Sequence, residues 1–127
     1  VFEAKLEALV LIAKGSGCKV VLLSSQIVDP DRGNFSPARK KELKKFLESL
    51  DGVRQFTEEG VLSGIKEINQ VTENVARKNS CVFIDMSRAV PENDEYFLDA
   101  THRSDKGNEI FADALMRKLS ALSVLDN

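Results

Sequence analysis

Residues 19–25 read KVVLLSS and residues 81–85 read CVFID. Each is a short apolar run rich in β-branched side chains, suited to a buried parallel strand. Helical patterns lie between them, so a crossover must join the two strands. Strands joined through helices form a parallel sheet with right-handed connections.

The chain reads outward from these two runs. Phe2, Leu6, Leu9 and Ala13 recur at helical spacing and predict an amphipathic helix over residues 2–14, ended by Gly15 and Gly17. After the first strand, QIVDPDRGNFSP is rich in Pro, Asp, Gly and Asn and reads as a long loop. Ser36 before Pro37 is an N-cap followed by a first-turn proline. Leu43, Phe46, Leu47 and Leu50 then mark one face of a helix that Asp51 and Gly52 break. Residues 53–60 fit no single period. Ile65, Ile68, Val71 and Val75 define a further helix to about Lys78, and Asn79 and Ser80 lead into the second strand. MSRAVPENDEYFLDATHR, residues 86–103, is a second long loop. Ser104 caps a last helix, with Ile110, Phe111, Ala114, Leu115, Leu119 and Leu122 on its buried side.

The order is therefore helix–strand–helix–helix–strand–helix. Two parallel strands alone make a poor sheet, because parallel sheets are normally covered on both faces and contain more strands. An unpaired edge would be exposed. The pattern predicts an α/β three-layer parallel sheet, flavodoxin-like in outline, that is incomplete in this chain. The edge is expected to pair by self-association or with a missing N-terminal half.

Composition sets the outer limits. The 127 residues fit one domain at most, and 43% hydrophobic with 30% charged residues is the balance of a soluble globular protein. A formal charge of −2 offers no basic patch for nucleic acid, and KKELKK reads as the solvated face of a helix. No apolar run reaches membrane-spanning length. The opening VFEAKLEALVLIAKG mixes acids and lysines with apolar residues, unlike a signal peptide. The chain does not start with Met, which leaves an upstream signal open and the location undecided between cytoplasmic and secreted. Cys18 and Cys81 each stand at the start of an apolar run and read as small buried hydrophobes. Two thiols, one His and no CxxC pair make no persuasive zinc site. A disulfide between the thiols requires the two strand starts to be neighbours.

In open parallel sheets ligands bind beyond the carboxyl ends of the strands. Both long loops follow a strand, and the second holds the chain's one histidine, within YFLDATHRSDKGNEIFADAL. An Asp three residues before a His, in a turn, can set its carboxylate on the imidazole Nδ1–H and leave Nε2 to take a proton. Asp99 and His102 are thus the candidate catalytic residues. On spacing alone, Asp99 equally fits a turn residue bonding its own backbone, and a lone His ahead of a helix is usually a surface residue.

The segment from Cys81 onward resembles the C-terminal block of the SGNH/GDSL hydrolases. In that family an Asp–x–x–His turn follows the last strand and precedes a helix with a Gly near its start. Asp99, His102 and Gly107 stand at those places, with Ala112 and Leu115 in the typical apolar positions. The helix ending in Gly followed by KVVLLSS resembles the family's fourth helix–strand unit, and residues 26–35 would correspond to a loop lining the substrate cleft. The likeness spans nearly the whole chain and makes it the C-terminal portion, residues 1–127, of one such domain. It implies a serine ester hydrolase acting on small carboxylic esters, in which His102 is the general base and Asp99 its orienting partner, with no metal or cofactor.

Three departures bear on that implication. The family's Gly–Asp–Ser block is absent, as are the Gly and Gly–x–Asn–Asp blocks of its oxyanion hole. Ser24 and Ser25 end a strand but lack the glycine-flanked elbow that exposes a nucleophile, so they read as strand-end hydrogen-bonding residues. Arg103 stands where relatives often carry an apolar residue, implying either a polar substrate or an exposed side chain. Asp85 reads as a structural acid bonding loop amides, and Asp29, Asp31 and Arg32 as solvated turn residues near the cleft. The chain alone is expected to be inert, and the rival reading is a non-catalytic α/β domain serving as a binding or assembly partner.

Overall fold

The computed structural model describes residues 1–49 and 56–123. Its elements are α1 (Phe2–Gly15), β1 (Val21–Leu23), α2 (Pro37–Glu48), α3 (Glu58–Lys78), β2 (Val82–Ile84) and α4 (Asp105–Ala121). The two strands pair in parallel, with Val21 opposite Val82 and Leu23 opposite Ile84. The described residues form a mixed α/β structure of four helices and one two-stranded parallel sheet.

Local chemistry sets the helix starts. The Ser36 hydroxyl accepts the Arg39 N–H with Pro37 in the first turn, and the Ser104 hydroxyl accepts the Gly107 N–H. Helix α3 begins well before the Ile65 period. Thr57 caps it by accepting the Gly60 N–H, with Glu58 and Glu59 at its positive end and Arg77 and Lys78 at its negative end. Gly60 and Gly64 are poor helix formers within its first turns, yet Val61 and Leu62 pack on the core. The expectations for Leu50, Asp51, Gly52 and residues 53–55 lie outside the described residues.

Four burial expectations are corrected. The strands are not buried runs: of their six residues only Ile84 is buried, the rest being half-buried. Helix α3 packs on both strands, but among the described residues no third strand flanks the pair. Helix α1 covers itself with Leu6, Val10 and Ala13 rather than with Phe2 and Leu9. It packs on α3 alone among the larger element contacts, so Phe2, Leu9 and Ile12 are exposed. A helix that is apolar nearly all round has only one stripe covered here. Cys18 is exposed in the turn after α1, and Cys81 is half-buried. Both thiols are free although the strand starts are neighbours. Leu122 is exposed because it ends α4 as its C-cap.

The main core lies beyond the carboxyl ends of the strands. Val28 and Phe35 from the first loop meet Val90, Phe97 and Ala100 from the second, with Leu43 and Leu47 of α2 closing one side. Ile110 and Phe111 of α4 pack against this cluster. The two loops are joined along their length. The Ser24 N–H donates to the Ile84 carbonyl at 3.2 Å, the Val28 N–H to Ala100 at 2.9 Å, and the Asn34 N–H to Glu92 at 2.8 Å. Between these, the buried Gln26 side chain acts as a piece of strand. Its Nε2 donates to the Val90 carbonyl at 2.7 Å and its Oε1 accepts the Val90 N–H at 3.2 Å. The exposed Arg32 pairs with the largely buried Glu92 side chain. No helix among the described residues is long and apolar enough to cross a membrane.

Gln26→Met keeps the side-chain length and removes both hydrogen bonds, stranding a buried N–H and a buried C=O on Val90. The expected loss is about 2–4 kcal/mol of unfolding free energy, read as a lowered urea midpoint at an unchanged slope.

Candidate active site

The second loop delivers Asp99 and His102 on a closed turn. An antiparallel bridge joins Phe97 and Arg103. Inside it the Leu98 N–H donates to the His102 carbonyl at 2.8 Å, and outside it the Ser104 N–H donates to Tyr96 at 2.9 Å. Phe97 and Ala100 are buried and anchor the turn in the core, and the Ala100 carbonyl receives the first loop's Val28 N–H. From α2, the Arg39 guanidinium donates to the carbonyls of Phe97 and Leu98. The Ser104 hydroxyl serves both sides: it donates to Glu95 O at 2.7 Å while capping α4. Gly107 permits this close approach. A Cβ there would overlap the Tyr96 carbonyl oxygen and stand 3.2 Å from Arg103 Cβ.

Within the turn the two oxygens of Asp99 have different work. Oδ1 accepts the Thr101 N–H at 2.8 Å, the Thr101 hydroxyl at 3.0 Å and the His102 N–H at 2.8 Å. Oδ2 faces His102 Nδ1 at 2.8 Å. Burial pushes the Asp99 carboxyl up. The hydrogen bonds from Thr101 and His102 together outweigh it and hold the group below its ordinary value. An ionised carboxylate at that distance requires the proton to sit on Nδ1, which leaves Nε2 as the base. The imidazole is 72% exposed against 28% for the carboxylate. The arrangement is thus a fixed, ionised orienter under a reachable ring, the geometry of a general base and its partner.

The other sequence candidates sit apart from this pair or are otherwise engaged. Ser24 is buried, donates to Asp85 Oδ1 at 2.7 Å and accepts the Met86 N–H at 2.7 Å. Asp85 also accepts the Ser87 N–H at 2.9 Å, and its hydrogen bonds from Ser87 and Ser24 hold its carboxyl below the usual value. Both residues therefore fasten the strand ends. Asp29 accepts the N–H groups of Asp31 and Arg32 in a local turn. Arg103 is half-buried rather than exposed. Its guanidinium lies over the Phe111 ring, 4.1 Å from the centroid, and covers apolar surface as an apolar residue would.

A groove of about 1290 Å³ runs from the strand ends to α3 and is bordered by Ser25, Asp29, Arg32, Lys66, Asn69 and Arg88 among others. Asp99 and His102 do not line it. Three contributors escaped the sequence reading: Gln26, Thr101 and Asn69. Asn69 clamps Ser25, accepting its N–H at 2.7 Å and donating to its carbonyl at 2.8 Å. An Asn inside a long helix is a mildly unfavourable choice and was the available signal. Among the described residues no group of three His, Cys, Asp or Glu side chains forms a candidate metal site. No protein-family model matches the chain, and no curated protein matches it.

Two outcomes are expected. Gly107→Ala must push α4 away from the turn and should cost roughly 1–3 kcal/mol by overpacking, measured by thermal or urea unfolding. Asp99 has a lowered folded pKa, so its stabilising share is present above the unfolded value of about 4 and is lost as pH falls through the folded value. The stability gap between wild type and Asp99→Asn should shrink below about pH 4, as read from urea midpoints across that range.

Proposed function

We propose that this chain carries the acid–base portion of an SGNH/GDSL-type ester hydrolase, with the fuller three-layer sheet completed by strands from outside these 127 residues. The observation that carries the reading is the 2.8 Å contact between Asp99 Oδ2 and Nδ1 of an exposed imidazole. Three further features support it. The turn sits beyond the carboxyl end of β2, where open parallel sheets hold their ligands. Gly107 is required by a close backbone approach at the place where the family resemblance puts it. The half-buried strands and the exposed side of α1 suit surfaces that further elements would cover.

In this reading a serine from the completing portion attacks the acyl carbon of a carboxylic ester. His102 Nε2 takes the serine proton and passes it to the leaving alcohol, and then activates water to release the acid. Asp99 holds the Nδ1–H tautomer and stabilises the imidazolium formed at each transfer. The oxyanion donors come with the serine portion.

A second reading has its own observation. Asp99 Oδ1 already staples the turn through three hydrogen bonds, a sufficient structural reason for an Asp at this position. The chain would then be a non-catalytic α/β domain that binds or assembles through its open sheet edge.

Reconstitution separates the two. The chain alone should remain unlabelled by a fluorophosphonate probe, and stoichiometric labelling of any of its serines would refute the assignment. Adding an N-terminal half with Gly–Asp–Ser and Gly–x–Asn–Asp blocks should produce esterase activity, and His102→Ala should lower it by roughly 10⁴-fold or more. Activity that survives His102→Ala favours the non-catalytic role for this turn.

A further inference from the structure

Thr101 lies between the members of the pair, and nothing in the proposed mechanism assigns it a part. Its hydroxyl is 3.0 Å from Asp99 Oδ1 and 3.2 Å from His102 Nδ1. A hydroxyl has one proton to donate and lone pairs to accept with. Here the proton goes to the Asp99 carboxylate, so the lone pairs are left for the ring. Nδ1 therefore faces two acceptors, Asp99 Oδ2 and Thr101 Oγ1, and no donor. A neutral ring with a bare Nδ1 would place lone pairs against lone pairs on both sides.

The hydroxyl also contributes to the division of labour on the carboxylate. With the two backbone N–H groups it occupies Oδ1, so Oδ2 is turned to the imidazole. The side chain is β-branched and stiff at χ1, and it is half-buried, so the hydroxyl is held in place rather than recruited.

We propose that Thr101 is a positioning residue that fixes His102 in the Nδ1–H tautomer, keeping Nε2 free as the base. This rests on the acid–base role proposed for Asp99 and His102 and adds a third group to that site. Thr101 touches neither substrate nor nucleophile in this role and acts only through the ring.

His102 is the chain's one histidine, so its ring can be followed without assignment ambiguity. The test is a long-range ¹H–¹⁵N correlation spectrum of the intact ¹⁵N-labelled chain at alkaline pH, where the neutral ring reports its tautomer ratio. Wild type is expected to be mainly Nδ1–H. Thr101→Val keeps the side-chain shape and should move the ratio towards Nε2–H by about fivefold, the effect of one ordinary hydrogen bond. Thr101→Ser restores the hydroxyl and should restore the ratio. Asp99→Asn should move the ratio at least as far. If Asp99→Asn shifts the ratio and Thr101→Val does not, the pair stands and the role of Thr101 is wrong. If Thr101→Ser behaves like Thr101→Val, the hydroxyl is not the cause and the proposal also fails. If Asp99→Asn leaves the ratio unchanged, the pairing itself is wrong and Thr101 loses its role with it.

Discussion

The pairing of the two strand-following loops is the constraint on which the rest of the molecule depends. At its centre one buried amide, that of Gln26, continues the parallel pairing where the backbone ladder has stopped. The strands themselves are three residues each and only half covered. What they lack in length is supplied by Gln26 against Val90, Val28 against Ala100 and Asn34 against Glu92. Under this layer lies the apolar cluster from Val28 to Ala100, so the core cluster of the described residues is made chiefly of segments without regular secondary structure. Buried loop backbone is tolerated only when its polar groups find partners. Here they find them on the other loop.

The candidate site inherits its geometry from that arrangement. Ala100 and Phe97 are core residues, and Asp99, Thr101 and His102 are the positions between and beside them. The turn therefore stands on a packed floor. Its outer side is braced by Arg39 from α2 and by Ser104 and Gly107 at the start of α4. Donors within the turn keep the carboxylate ionised while the ring remains open to solvent. Rigidity below and access above are what a proton-transfer group requires.

How much of this the sequence revealed depends on the range of the interactions. Ser36–Pro37 and Ser104 were legible because a helix cap is decided within four residues. Asp99 and His102 were legible for the same reason, since an i, i+3 contact in a turn needs no distant partner. Gln26 was not, because its meaning lies in Val90, far along the chain. Nor was Asn69, whose partner is Ser25 on another element. The burial of α1 and of the strands was misjudged because apolar pattern reports which faces seek cover, while the described neighbours decide which faces receive it. The exposed alternative for Arg103 fails, its charge having hidden the flat surface it lays on Phe111.

The separation between Gln26 and Val90, 64 positions along the chain, has a kinetic meaning. A contact that closes so large a loop is entropically late, because the intervening chain must be ordered before the bond is gained. The helices between can form from local contacts, but the Asp99 turn is anchored to the first loop through Ala100 and Val28. Its final geometry thus depends on a long-range closure as well as on the turn's own hydrogen bonds. A chain that has collapsed without completing that closure would hold all its helices and still present a histidine with no fixed orientation.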